Sequence, residues 1–453
     1  MEQQPTAPAR VSPHVLSGMR DFLPQTMILR QQIIDTFRSV FERYGFEPID
    51  TPLIERYEVL AGKYGEEGER LMYRFQDHGG REVGLRYDLT VPLARFVAAH
   101  RGELTFPFKR YHIGPVFRAE RPQRGRYRQF WQCDIDTVGT RSMLADAEIV
   151  QVWLEALRAV GLHQVVVHVN HRGLLQGLVE EAEVAPEQSM TVFRALDKLA
   201  KIGPDGVLAE MEAHHVPRQA AERLLALAQL QGEPAAVLDE LDARLQRYPH
   251  AQQAISELRE LFRYLNWLGV ASTAYVLDLT LARGLDYYTG PVFEAMVTEP
   301  AIGSLGGAGR YDRLIGMFLG EEIPATGGSL GLERVVEVVQ ELHLFTAPST
   351  VSDAIVVLFD PASDVAVLGL LRELREAGLN AEAYLGERRD LRRQLQYADR
   401  KGIPFALFYG TDEAAAGVVT VRDLRTGEQQ RVPRDHCADY LRQRVHARRS
   451  PTT

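Results

Sequence analysis

The sequence predicts an α+β protein with a stranded body, an all-helical insertion and a separate C-terminal α/β domain. Three observations predict it. Extended, alternating stretches gather over 83–139 and return near 273. Between them, roughly 175–265 is rich in Ala, Leu, Glu and Arg and shows no strand pattern. After 353 the pattern runs strand, helix, strand, helix, strand. The 453 residues suit about three domains. The expected boundaries are a disordered leader at 1–16, a body at 17–174 and 266–340, the insertion at 175–265, a linker at 341–352 and the last domain at 353–453.

Each element has its own reason. The leader has no apolar stretch, so no secretory signal is expected. "MILRQQIIDTFRSVFERYGF" (27–46) is an amphipathic helix, with Leu29, Ile33, Phe37, Val40, Phe41 and Tyr44 at steps of three and four. Gly45 closes it as a C′ glycine. "EPIDTPLIE" reads as an extended strand, since Pro48 and Pro52 oppose a helix. A helix is expected near 90–101. "PVFRAE" and "YRQFWQCDIDTV" form a hairpin around the loop "RPQRGR". Alternation puts Trp131, Cys133 and Ile135 on one face and Gln132, Asp134 and Asp136 on the other. A polar sheet face is usually solvated, but one mixing Arg, Glu, Gln and Asp beside Trp and Phe reads better as a ligand floor. A helix over 142–161 and a strand "QVVVHVNH" follow. "TAYVLDLTLARGLDYYTGPVFEAMV" returns to strands, and "IPATGGSLGLERVVEVVQEL" is a Gly-rich strand turning into a helix.

Composition excludes several classes. Apolar residues make up 45% and charged residues 25%, an ordinary globular balance. No window carries the ~18 apolar residues of a membrane span. The net charge of −9 argues against a general nucleic-acid coat, not against local basic patches. Two such patches exist, one around Arg118–Arg128 and one at "RRDLRRQLQYADRK" (388–401). Cys133 and Cys437 stand far apart without CxxC or Cys/His spacing, so neither a disulfide framework nor a structural zinc is expected, and a reducing cytoplasm is. The histidines lack metal spacing, and no metal ligands are assigned. There is no GxSxG, no P-loop and no dinucleotide fingerprint. What remains is a site of arginines, acids and tyrosines on strands, suited to chemistry by positioning and charge neutralisation at phosphorus.

Three stretches in order give a resemblance. "FRAE" (117–120) resembles motif 2 of class II aminoacyl-tRNA synthetases, "GLER" (331–334) their motif 3, and the first helix with "IDTP" (49–52) their motif 1. "LARGLDYYTG" (281–290), "GRYD" (309–312), "GMRDFLP" (18–24) and "LRYDLTVPLARF" (85–96) narrow it to the histidyl-tRNA synthetase family, over nearly the whole chain. The implied fold is the class II antiparallel sheet with flanking helices and a helical insertion, plus a C-terminal α/β anticodon-binding domain. The implied activity is histidine–tRNA ligation in a homodimer, with ATP as substrate and Mg²⁺ as helper.

The resemblance also implies roles. Arg118 and Arg283 would be the catalytic cations at the α-phosphate, Arg283 also meeting the histidine carboxylate. Glu120 would lie near the adenine, and Arg334 would stack on it. Asp88, Thr90 and Gln132 would hold the α-amino group; Asp136 and Tyr288 would bind the imidazole, with Tyr287 lining the pocket. Arg121, Gln123, Arg126 and Arg128 would meet the acceptor end of tRNA, while the 388–401 patch would serve the anticodon. Taken singly, each loop arginine reads equally as a solvated charge. The family usually shows "GGRYDGL", where this chain has Ala308 and Arg313; Arg313 is expected to alter a turn beside the pocket. A rival reading is the non-catalytic, histidine-sensing regulatory subunit of ATP phosphoribosyltransferase. It typically lacks the C-terminal domain and the ATP and histidine arginines, all of which are present here. A synthetase for proline, threonine or glycine is disfavoured by "RGLDYYTG".

Overall fold

The computed structural model describes residues 11–282, 287–344, 348–359, 361–387 and 390–449. The chain divides into two compact units: residues up to 21 with 33–345, and residues 22–32 with 346–453.

The first unit is organised by an eight-stranded sheet. Its strands are β1 (Glu47–Pro48), β2 (Phe108–Phe117), β3 (Gln129–Val138), β4 (Val165–His171), β5 (Tyr275–Leu277), β6 (Pro291–Val297), β7 (Ser304–Arg310) and β8 (Ala325–Gly331). Their spatial order is β1-β2-β3-β8-β7-β6-β4-β5. The six central strands pair antiparallel; only the short edge strands β1 and β5 run parallel to their neighbours.

Helix Pro24–Arg43 takes the predicted place, and Ile33, Phe37, Val40 and Phe41 are buried. Gly45 follows in the left-handed region at φ +77°, as a C′ residue requires. The "EPIDTPLIE" stretch differs from the single strand expected. Pro52 has no N–H to give a ladder. The stretch breaks into β1 and a strand Ile54–Arg56, which joins a separate three-stranded sheet with Arg74–Gln76 and Glu82–Leu85.

The β2–β3 hairpin pairs Arg110 with Asp136, His112 with Asp134 and Gly114 with Gln132. Both faces of β3 are covered, so its acids are interior groups and not a solvated edge. β2 stops at Phe117, one residue short of the arginine placed on it by alternation; the Arg118 N–H still reaches the Arg128 carbonyl at 2.9 Å.

Between β4 and β5 the chain is helical: Arg172–Glu181, Ser189–Leu196, Leu199–Ala213, Arg218–Ala228, Pro234–Arg244 and Pro249–Trp267. Pro234 and Pro249 sit at first positions, where a missing N–H costs nothing. By contrast, Gly203 at φ +70° and Pro204 kink the third of these helices. These helices belong to the same compact unit as the sheet.

The second unit carries a five-stranded sheet in the order Ala381–Ala383, Ala354–Val356, Phe405–Phe408, Val418–Asp423, Gln429–Pro433. The first three strands are parallel, joined through helices Asp364–Glu376 and Leu391–Lys401, as the βαβαβ pattern required. The last two are antiparallel additions, followed by helix Cys437–Arg449.

Candidate active site

A cavity of about 320 Å³ opens on the sheet where β3, β8, β7 and β6 lie side by side. Glycine makes its floor. Gly306, Gly307, Gly328 and Gly331 line it; a Cβ at Gly307 meets nothing within 4 Å, whereas one at Gly306 would stand 2.5 Å from the Ser329 carbonyl oxygen. A Cβ at Gly327 would stand 2.1 Å from Asp136 Oδ1 and 2.5 Å from the Ile135 carbonyl. One at Gly328 would stand 2.2 Å from the Cβ of Ala308. The glycine runs of β7 and β8 are therefore close-approach strands, with no phosphate-cradling loop.

Asp88 sits on the wall at 1% exposure. Its Oδ1 accepts from the Tyr64 hydroxyl at 2.9 Å and from the Val91 N–H at 3.0 Å, in the first turn of helix Thr90–His100. Its Oδ2 accepts from the Tyr287 hydroxyl at 3.0 Å. Burial pushes this carboxyl above its ordinary range, while the donors and the nearby Arg118 oppose the rise. Thr90 and Gln132 line the same wall.

Arg118 is held from three sides. Its Nε donates to the Tyr87 carbonyl at 3.1 Å, and its guanidinium lies 4.3 Å from the Tyr87 ring centroid and 5.1 Å from that of Phe130. Such stacking fixes a planar cation without consuming its outer donors. Glu120 pairs with Arg126 Nε at 3.2 Å, and both line the cavity. Arg334, at the start of helix Leu332–Glu341, donates from Nε to the Gly125 carbonyl at 3.0 Å and from Nη1 to the Ser304 carbonyl. It thus clamps the turn in which Gln123 and Arg126 exchange backbone hydrogen bonds.

Asp136 does not line the cavity; it lies beneath the floor, fully buried. The Tyr311 hydroxyl donates to its Oδ1, and Arg110 Nη2 lies 2.7 Å from its Oδ2. Tyr288 does line the cavity, its ring laid on Gly309, where a Cβ would approach to 2.8 Å. Tyr287 and Tyr288 meet edge to face at 5.1 Å. Arg283 lies outside the described residues.

The loop arginines divide. Arg128 donates to the Ser17 and Glu120 carbonyls, both at 3.1 Å, and so ties the amino-terminal segment to the hairpin. Arg124 pairs with Glu341. Arg121 is exposed. Of the two departures, Ala308 is buried on β7, whereas Arg313 is 77% exposed beside Glu322 and away from the cavity wall. His168 pairs with Asp278 and His171 with Glu257, each at 2.8 Å. Among the described residues no His, Cys, Asp or Glu cluster is suited to hold a metal ion.

Sequence reasoning missed Tyr64, Tyr311 and Arg110. Tyr311 belongs to "GRYD", and Arg110 falls opposite Asp136 once the hairpin register is set; these signals were present. Tyr64 had none.

The family model for histidyl-tRNA synthetases matches residues 18–335, and one for an anticodon binding domain matches 353–444. The chain belongs to the histidyl-tRNA synthetase family. A histidine–tRNA ligase of Gloeobacter violaceus is 42% identical, covering 92% of this chain and 96% of its own. One of Aeropyrum pernix is 45% identical over 92% and 94%. The crystal structure of a histidyl-tRNA synthetase from Nostoc sp. PCC 7120 superposes with a TM-score of 0.85 at 34% identity, over 96% of this chain and all of that one. A Bacillus halodurans structure described as an ATP phosphoribosyltransferase regulatory subunit/histidyl-tRNA synthetase shares the fold, with a TM-score of 0.73 at 24% identity over 86% and 97%. Like other histidyl-tRNA synthetases, the chain is an aminoacyl-tRNA synthetase enzyme with an α+β catalytic body and a C-terminal anticodon-binding domain.

Proposed function

We propose that the cavity joins L-histidine to ATP and then passes the histidyl group to histidine tRNA. The observation that carries this reading is the convergence of Arg118, Asp88, Tyr287, Tyr288, Gln132, Arg334 and Glu120 on one cavity. The histidine carboxylate attacks the α-phosphorus in line, the bond to the β-phosphate breaks, and pyrophosphate leaves. Arg118, with Arg283, offsets the charge that grows on the phosphoryl oxygens. A terminal ribose hydroxyl of the tRNA then attacks the adenylate carbonyl, and AMP leaves.

Asp88, Thr90 and Gln132 receive the α-ammonium, and Tyr288 receives the imidazole together with Asp136, which the ring reaches only by passing the glycine floor. An acid and a phenol can satisfy both ring nitrogens, and an amino acid lacking them leaves buried polar groups unpaired. Arg334 and Glu120 frame the adenine. Mg²⁺ would arrive with the ATP phosphates as its oxygen donors, and no acid of the chain is assigned to it. When bound it would neutralise phosphate charge. Arg121, Gln123, Arg126 and Arg128 approach the tRNA acceptor end, and helix Leu391–Lys401 the anticodon. The active form is a homodimer through the motif 1 segment, and the two buried free cysteines suit a reducing cytoplasm.

The test is ATP–pyrophosphate exchange with each standard amino acid, Mg²⁺ present and tRNA absent. Exchange with histidine alone is expected. Exchange with another amino acid overturns the pocket assignment. Histidine binding without exchange favours the regulatory-subunit reading, against which the anticodon domain and the retained Arg118 and Arg334 now stand.

A further inference from the structure

Asp134 has no part in the reading above, yet it stands between Gln132 and Asp136 on the same face of β3. It is 1% exposed. Its nearest cation is Arg110, whose Nη2 lies 3.8 Å from Asp134 Oδ2 and 2.7 Å from Asp136 Oδ2. One guanidinium nitrogen thus serves two buried carboxyl groups. Among the described residues, no hydrogen-bond partner meets Asp134 Oδ1, nor Arg110 Nε and Nη1.

Compensation for the second acid is thin. Across the hairpin stands His112, which burial and the adjacent Arg110 and Arg86 hold neutral, although Asp50 lies 2.9 Å from its Nε2. Arg86 donates to the Thr51 carbonyl at 2.7 Å and the Pro115 carbonyl at 2.8 Å, and its charge is shared between Asp50, at 3.5 Å, and Asp134. From β8 the facing residue is Ser329, and the next acid is Asp88, itself buried. Two like charges so thinly compensated, in an interior without water access, cannot both persist cheaply near neutral pH.

We propose that Asp134 is a positioning residue that holds a proton, so that it and Asp136 carry one negative charge between them, on Asp136. The proposal rests on the reading that Asp136 receives the imidazole. With Asp134 neutral, Arg110 stays on Asp136 Oδ2 while the Tyr311 hydroxyl holds Oδ1. Each carboxylate oxygen keeps a further lone pair, so the ring N–H of histidine meets an acceptor that cannot turn away. Ionising Asp134 would draw Arg110 between two acids and loosen that acceptor. The titration fits. Burial, together with the Asp136 charge and against the pull of Arg110 and Ser329, pushes Asp134 well above the ordinary carboxylate range. Asp136 rises less, because Arg110 and Tyr311 stabilise its charged form.

The experiment compares the full-length enzyme with its Asp134→Asn variant between pH 7 and pH 9, following kcat/KM for histidine and for ATP in pyrophosphate exchange. An amide has the shape of the neutral acid but no proton to lose. The variant-to-wild-type ratio for histidine is expected to rise several-fold over that range, as the wild-type pair loses its shared proton, with the ATP ratio flat. A histidine ratio that stays flat or falls overturns the proposal, as does an Asp134→Asn chain that does not fold. A second readout needs no activity. A carboxyl raised on folding costs more stability as pH rises from the ordinary carboxylate range to its folded value. The Tm of Asp134→Asn relative to wild type should therefore climb from pH 6 to pH 8, and a constant difference counts against a held proton. Asp136→Asn separates the two readings. If it leaves the histidine KM unmoved, Asp136 is not the imidazole acceptor, while the Tm comparison still decides where the proton sits.

Discussion

The Tyr287 hydroxyl donates to Asp88 Oδ2 at 3.0 Å across 199 residues of sequence. The bond links the "YDLT" and "LDYYTG" stretches and aims the carboxylate that is proposed to take the α-ammonium. Tyr287 therefore acts through Asp88 as well as lining the wall. Tyr287→Phe is expected to raise the KM for histidine about tenfold or more, the lower end of the worth of one lost hydrogen bond to a charged group. The KM for ATP should not move. Steady-state pyrophosphate exchange reads both.

Gly327 carries a sharper expectation. A methyl there collides with the Asp136 carboxylate and with backbone, which cannot swing aside. Gly327→Ala should cut histidine activation by roughly 100-fold or more while costing about 1–3 kcal/mol of stability. Exchange rates and a denaturant titration measure the two effects, and near-normal exchange would remove Asp136 from the site.

His171 and Glu257 give a pH signature at the root of the insertion. Burial pushes Glu257 up, but the His171 and Gln253 bonds outweigh it and hold the carboxyl below its ordinary range. The stability it supplies is full above the ordinary carboxylate value and drains away as pH falls through the lowered one. The Tm gap between wild type and Glu257→Gln should therefore narrow as pH drops from 6 towards 3.5. A gap that widens in acid contradicts the assignment.

On helix Leu391–Lys401 one cation of the basic patch is engaged within the domain. Lys401 is engaged by Glu382, and Arg388 and Arg389 lie outside the described residues. Arg392, Arg393 and Arg400 are exposed. Replacing Arg392 and Arg393 by Glu is expected to raise the KM for tRNA about tenfold and flatten its salt dependence. Pyrophosphate exchange should be untouched. Loss of exchange would mean the change had damaged more than tRNA binding.

Much of this arrangement was legible. Apolar spacing located helix Pro24–Arg43, and alternation put Gln132, Asp134 and Asp136 on one face of β3. Two kinds of information were not local. Strand boundaries failed where hydrogen-bond partners decide them: "EPIDTPLIE" divides between two sheets because its halves find different neighbours. Contacts were not legible where a side chain also braces the fold. Arg128 reads as a loop cation, but it spends two donors on the Ser17 and Glu120 carbonyls. Tyr64 stands in a stretch with no signal, yet it is one of the donors on Asp88. The antiparallel strands after Phe408 were overlooked because a complete βαβαβ unit already accounted for the region.

The glycine floor has a consequence for descent. A Cβ at residue 328 would stand 2.2 Å from the Cβ of Ala308, and also 2.5 Å from its Cα and 2.6 Å from the Gly307 carbonyl oxygen. Trimming residue 308 to glycine therefore does not open position 328. The two facing positions are unequal in what descent can do with them: one strand has room for a methyl and carries it, and the other is held to glycine by its neighbour's backbone.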